Sequence, residues 1–300
     1  MKKKCYILFL LFSVLFLLAG ILGPLIINFI RPIQYSRKIQ REPERIISTA
    51  PNLTEILFAL GLDKQIIAVS DNCDYPPKAM NKPKIGTFFN PGKETIVSYK
   101  PDLVISLWFA EQKRIAESLN HLGIDVVTIK LEKLNELIPA IERIGKATNR
   151  QKQAKQISEK ISSQIEQTRL NYAGKERPKI LFVVQKEPLR VAGTKTFINQ
   201  LIELAGGQNT IGPTPMMYPQ MGSENLFLCD AEVIIHSAMN KENMEKEEQT
   251  AKQFWEKYPE LPAVKNNRIY VIDPDTTLRL GPRLPDGIEL IASLIHSDKK

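Results

Sequence analysis

Two glutamates, Glu94 and Glu224, lie 130 positions apart in matching surroundings. Phe88 and Gly92 precede the first and Ile96 follows it; Tyr218, Gly222 and Leu226 hold the same places around the second. Eight residues beyond each glutamate a strand-like run begins, Asp102-Leu103-Val104-Ile105 in one copy and Glu232-Val233-Ile234-Ile235 in the other. A carboxylate in the first turn of a helix can complement the helix dipole, with the preceding aromatic acting as a hydrophobic staple. It can also present charge beside a cleft, because ligands of open α/β sheets bind outside the carboxyl ends of the strands, where such loops emerge. The matched spacing implies two similar lobes, and two lobes facing each other make a cleft.

Motifs for covalent or phosphate chemistry are missing from the chain: it has no Gly-x-x-x-x-Gly-Lys loop, no Gly-x-Ser-x-Gly elbow and no His-Glu-x-x-His helix. The three histidines, His121, His236 and His296, are scattered. His236 ends a predicted buried strand and could project into a cleft, although a structural histidine is the simpler reading. Cys5, Cys73 and Cys229 show no zinc spacing, and the last two fall in different lobes, so both read as free thiols. A binding protein is therefore expected rather than an enzyme, with no catalytic residues, no metal site and no cofactor.

The formal charge of +8 is concentrated at the amino terminus. Residues 1 to 45 hold eight Lys and Arg against two acids, leaving 33 bases against 31 acids in the remainder. No basic stripe remains that could make the multiple phosphate contacts of nucleic-acid binding. The terminus itself is Lys2-Lys3-Lys4 followed by an uncharged apolar run from Tyr6 to Ile30, long enough to span a bilayer. Leu17-Leu18-Ala19-Gly20 resembles the start of a lipoprotein cleavage site, but Ile21 stands where a lipidated cysteine is required. The run reads as an uncleaved signal anchor rather than a cleaved signal peptide, which places the body at the extracytoplasmic face of the membrane or in the periplasm. Bases on both sides of the run leave its orientation undecided by charge.

Three hundred residues with 43 % hydrophobic content suit two domains with ordinary cores. The expected division is a signal anchor over 1–30, a linker over 31–44, an amino-terminal lobe over 45–147, an inter-lobe helix over 148–175 and a carboxy-terminal lobe over 176–300. Strand and helix signals alternate through both lobes. In the first, strands are expected at 45–48, 66–69, 103–106 and 126–129, with helices at 52–60, from Asn90-Pro91, and at 111–122. In the second, strands are expected at 179–184, 232–235 and 268–272, with helices at 196–205 and 286–296. Such alternation gives βαβ units and mainly parallel sheets. Between the lobes, 151–172 contains neither proline nor glycine and carries one narrow apolar stripe, Ala154, Ile157, Ile161 and Ile165, as a solvated helix bridging two lobes would. A peripheral helix on one lobe would show the same stripe. The charge-rich segment 241–253 reads as a solvated helical face and not as a binding site.

Several motifs in order carry a family resemblance: Arg45-Ile46-Ile47-Ser48, Pro51-Asn52-Leu53-Thr54-Glu55-Ile56, Asp71-Asn72-Cys73-Asp74-Tyr75-Pro76-Pro77, Asn90-Pro91 with Glu94, and Lys100-Pro101-Asp102-Leu103-Val104. Tyr218-Pro219-Gln220, Ser223-Glu224, Pro274-Asp275 and Pro282-Arg283 continue it into the second lobe. Over roughly residues 45 to 295 the chain resembles the cobalamin-binding solute-binding proteins of bacterial ABC importers. The resemblance implies two Rossmann-like lobes joined by one long rigid backbone helix, cobalamin or another corrinoid in the cleft, and a monomer that delivers it to the transmembrane subunits. It places Phe88 and Tyr218 against the ligand, with Asp71, Asn72, Phe89 and Asp275 in the cleft wall. It makes Glu94 and Glu224 docking residues that pair with arginines of the importer. Ferric siderophore or haem binding on the same fold is the alternative, with Arg279 and Arg283 keeping the first open and His236 the second. A metal-dependent chelatase would need a ligand cluster that is not visible.

Overall fold

The structure, a computed structural model, is described for residues 42–297. The apolar run, Cys5 and most of the linker lie outside these residues; within them no helix is long and apolar enough to cross a membrane.

The first lobe holds strands β1 (Ile46–Ser48), β2 (Ile66–Val69), β3 (Leu103–Leu107) and β4 (Asp125–Ile129), in the order β2-β1-β3-β4. All three pairings are parallel. Strands such as Leu103-Val104-Ile105 are continuous apolar runs because a parallel sheet is covered on both faces. Helices α1 (Pro51–Ala59), α2 (Lys93–Ser98), α3 (Ala110–His121) and α4 (Leu137–Ala147) provide that cover. Helix α4 occupies a stretch unassigned from sequence; it buries Leu137, Ala140, Ile141 and Ile144 on one side, and its proline sits in the first turn, where it is tolerated. Helix α2 starts at Lys93 rather than at Asn90-Pro91, because Gly86 and Pro91 form an antiparallel bridge and the Gly92 N–H donates to the Ile85 carbonyl at 2.6 Å.

Helix α5 (Gln151–Asn171) leaves the first lobe for the second. It packs on α4 behind it and on the last helix of the chain ahead of it. A Cβ at Gly145 of α4 would stand 2.4 Å from the Cβ of Ala154, so the glycine permits the close approach that fixes the start of α5. Ser158 and Thr168 are buried on α5 along with Ala154 and Ile161, while Ile157 and Ile165 pack on the core partly exposed. The helix is thus solvated on its outer side only.

The second lobe contains β5 (Lys179–Gln185), β6 (Arg190–Val191), β7 (Gln208–Asn209), β8 (Val233–Ser237) and β9 (Ile269–Ile272) in the order β6-β5-β8-β9, with β7 also on β5. Only β6 runs antiparallel. Its helices are α6 (Phe197–Leu204), α7 (Ser223–Phe227), α8 (Met244–Trp255), α9 (Pro262–Lys265), α10 (Pro274–Thr277) and α11 (Leu284–Ile295). A Cβ at Gly287 would lie 2.3 Å from the Thr276 carbonyl oxygen, so α11 can sit directly on α10. That contact holds Asp275, Arg279 and Arg283 in one small region. One apolar cluster runs through both lobes, and both belong to one compact unit.

Candidate functional site: the inter-lobe cleft

A cavity of about 330 Å³ opens between the lobes, within the usual range for small-molecule sites. The first lobe contributes the start of α1 (Ala50, Pro51, Asn52), Asn72 from the loop after β2, Phe88, Leu107 at the end of β3, and Leu131 with Glu132 after β4. From the second lobe come Phe197 and the run Leu278-Arg279-Leu280. The first-lobe positions lie at or after the carboxyl ends of strands β1 to β4, where a parallel sheet places its ligands. Apolar side chains dominate, with two asparagine amides, one carboxylate and one guanidinium among them. No histidine, tyrosine, methionine or cysteine lines the cavity among the described residues.

Phe88 is held from behind by Gln112 of α3. The Gln112 Nε2 donates to the Phe88 carbonyl at 2.6 Å, and its Oε1 accepts from Ser106 Oγ at 2.6 Å, from the Leu107 N–H at 2.8 Å and from Thr49 Oγ1. Phe89 does not line the cavity; it is 61 % exposed, with its ring centroid 3.8 Å from that of Phe88. Asp71 turns into its own loop, where Oδ1 accepts from the Gly86 N–H at 3.1 Å. Tyr218 does not line the cavity; it packs half-buried on the apolar cluster shared by both lobes, and burial pushes its hydroxyl pKa up. Of the six side chains expected in the cleft wall, Phe88 and Asn72 are the two that line this cavity.

Asp275 lies beside the cavity in an ion-pair network that ties the lobes together. Arg279 places Nη1 2.7 Å from Asp74 Oδ1 and Nη2 2.7 Å from Asp275 Oδ1. Lys241 pairs with Asp74 and reaches Asp275 at 2.6 Å. Arg283 grips Glu55 with both a 2.9 Å and a 2.6 Å hydrogen bond and lies over the Tyr75 ring at 3.8 Å. Burial would raise the Asp74 pKa, but hydrogen bonds from Arg279 and Lys241 outweigh it and hold the carboxyl far below its usual range. Burial raises the Asp275 pKa, with Asp74 adding to the rise and both cations opposing it. Lys241 corrects the reading of 241–253: Met244 to Trp255 is a largely solvated helix, but the turn before it sends an ammonium across to the other lobe.

His236 is buried away from the cavity and accepts a hydrogen bond from Trp255 Nε1, and desolvation lowers its pKa to about 3. It is a structural histidine. Among the described residues no group of His, Cys, Asp and Glu could hold a metal ion. Glu94 and Glu224 each stand in the first turn of a short helix, α2 and α7, one in each lobe; the Glu94 side chain is 85 % exposed.

Residues missed by sequence reasoning are Ala50, Leu107, Leu131, Glu132, Phe197, Leu278 and Leu280 on the wall, together with Pro51 and Asn52, which stood in a motif but were not assigned to the cleft, Gln112 behind the wall and Lys241 across it. Leu107 could have been found as the next residue of a predicted strand. Phe197 at the first turn of a predicted helix carried no signal of facing the other lobe.

Two α/β lobes with mainly parallel sheets, one connecting helix and a ligand-sized cleft between the lobes make the architecture of a solute-binding protein. The chain belongs to the periplasmic binding protein family, whose model matches residues 46–276. It is 29 % identical over 269 residues to an uncharacterized ABC transporter substrate-binding lipoprotein, YvrC, of Bacillus subtilis, covering 87 % of this chain and 82 % of that one. It superposes on the periplasmic vitamin B12-binding protein BtuF of Vibrio cholerae with a TM-score of 0.73 and 25 % identity, over 85 % of this chain and 97 % of that one. A possible iron-binding solute-binding protein of Staphylococcus epidermidis gives a TM-score of 0.75 at 25 % identity, over 86 % and 100 %.

Proposed function

We propose that this protein captures cobalamin or a related corrinoid in the inter-lobe cleft and delivers it to the transmembrane subunits of an ABC importer. The observation that carries this reading is the cavity wall. Phe88, Phe197 and six aliphatic side chains cover a broad apolar ligand, and the Asn52 and Asn72 amides match the peripheral amides of a corrin. The cobalt of a corrin is bound by its own ring and axial groups, so the wall needs no coordinating side chain. Haem would call for one. The vitamin B12-binding relatives support the same choice. Glu94 and Glu224 act as the docking pair, since one exposed carboxylate per lobe suits a partner built of two similar subunits. Residues 6 to 30 tether the monomer at the extracytoplasmic face.

Calorimetric titration with cyanocobalamin, and with haemin and a ferric siderophore in parallel, tests the ligand. Saturable one-to-one binding of cyanocobalamin is the expected result. Binding of haemin or the siderophore in its place would overturn the corrinoid assignment and keep the protein as a binder of iron compounds.

A further inference from the structure

Arg279 is the one cation among the residues that line the cavity. An arginine at such a place normally recruits an anion by bidentate hydrogen bonding. Here both of its amino groups are taken, one by Asp74 of the first lobe and one by Asp275 of the second, each at 2.7 Å. A third carboxylate, Glu55, stands 3.5 Å from Nη1. The other two cations of the network are also committed, Lys241 to the same two aspartates and Arg283 to Glu55. Three carboxylates thus balance three cations, and the other charged side chain on the cavity wall is a carboxylate, Glu132.

We infer that Asp74 is a specificity-determining residue that closes the cleft to anionic ligands by neutralising Arg279 from the opposite lobe. An incoming carboxylate or catecholate would have to displace Asp74 or Asp275 from a partly desolvated pair, and the displaced aspartate would keep only the more exposed Lys241 as its cation. A neutral ligand that offers amides and a carbon framework meets no such cost. The side chain comes from the Asp71-Asn72-Cys73-Asp74-Tyr75 loop, so the same segment supplies Asn72 to the wall and the charge that sets which ligands reach it. Removing that one negative charge should convert the wall from anion-excluding to anion-accepting.

The inference rests on the corrinoid reading for its first pair of probes, and a third probe separates the two. The purified full chain, Asp74→Asn, Asp74→Glu and Asp275→Asn are titrated with cyanocobalamin, with its monocarboxylic acids, in which one peripheral amide is hydrolysed, and with a ferric tris-catecholate. The native protein and Asp74→Glu should prefer the amide over the acid by about tenfold. In Asp74→Asn the ratio should fall to near one, and the tris-catecholate should gain saturable binding that weakens with added salt. Asp275→Asn, which frees the other side of Arg279, should shift the ratio in the same direction and serves if Asp74→Asn does not fold, as its thermal unfolding will reveal. An equal ratio in the native protein and both Asn variants, or a native protein that takes the acid as readily as the amide, overturns the filter. If cyanocobalamin binds nothing but the tris-catecholate binds only the Asn variants, the corrinoid reading falls and the filter stands.

Discussion

The side-chain amide of Gln112 donates to the backbone carbonyl of Phe88 across 2.6 Å, so a residue on α3 fixes an aromatic that lines the ligand cavity without touching the cavity itself. The same side chain accepts from Ser106, Leu107 and Thr49, which joins the ends of β1 and β3 to the Phe88 loop.

Replacing Gln112 with alanine leaves the buried Thr49 and Ser106 hydroxyls and the Phe88 carbonyl without this partner. The expected cost is about 2 kcal/mol, read as a lower denaturant midpoint, and it should be accompanied by weaker ligand binding. An unchanged midpoint would show that Gln112 is dispensable to this corner.

Phe88 and Phe197 face the cavity from opposite lobes, whereas Tyr218 is not among the lining residues. Truncating either phenylalanine to alanine should weaken cyanocobalamin binding by roughly 10- to 50-fold, the scale of one lost aromatic contact surface. Tyr218→Ala should cost less. The reverse ranking would move the ligand away from this cavity toward the Tyr218 loop.

Glu55 is buried, its side chain 2 % exposed, and receives two hydrogen bonds from Arg283 of the other lobe. Glu55→Ala would strand a half-buried guanidinium at the lobe interface. A loss of about 3 kcal/mol is expected in equilibrium unfolding, because breaking one side of a buried pair leaves an uncompensated charge. The more exposed Lys241 pair should contribute far less, as ion pairs open to solvent do, so Lys241→Met is the comparison. Equal losses in the two variants would argue against a distinction between inner and outer pairs.

Much of the scaffold was legible because its signals are local. The apolar runs at 66–69, 103–106 and 179–184 could be buried strands on length and composition alone, and the proline-free, glycine-free stretch 151–172 reads as a helix. Helix α4 was missed because Pro139 interrupts its start, even though its apolar spacing is regular. The cleft was harder to read. Phe88 and Asn72 belong to loops with a motif, but Phe197 and Lys241 act only through where the other lobe stands, which no local pattern records. Lys241 also looks like any lysine of a charged surface until Asp74, 167 positions away, is placed beside it.

His236 carries a clear pH signature among the described residues. Burial depresses its folded-state pKa to about 3, with Lys186 adding to the effect, while the unfolded value stays near 6.5. A base whose pKa is depressed by folding favours the folded state above the unfolded pKa, and this contribution is lost as pH falls from about 6.5 toward 3. By pH 4.5 the loss should reach roughly 3 kcal/mol. His236→Gln, which can still accept from Trp255, should flatten this part of the stability profile. A variant whose profile runs parallel to the native one would locate the acid sensitivity elsewhere.

Glu94 and Glu224 repeat one geometry in two lobes: a glycine cap, a short helix, a carboxylate in its first turn and a buried strand beyond. Dipole stabilisation explains why glutamate is tolerated there, at a few tenths of a kcal/mol to about 1 kcal/mol. It does not require the same residue at both places or the exposure of the Glu94 side chain, whose nearest cation is its neighbour Lys93 at 3.7 Å. A two-lobed carrier that meets two similar subunits gains from offering each the same charge. Reversing both charges, Glu94→Arg with Glu224→Arg, should therefore abolish ligand uptake in cells while leaving the affinity of the purified protein within a few-fold of native. Each single reversal should leave partial uptake, because one docking contact survives. Unimpaired uptake by the double variant would return both glutamates to a structural role at their helix ends.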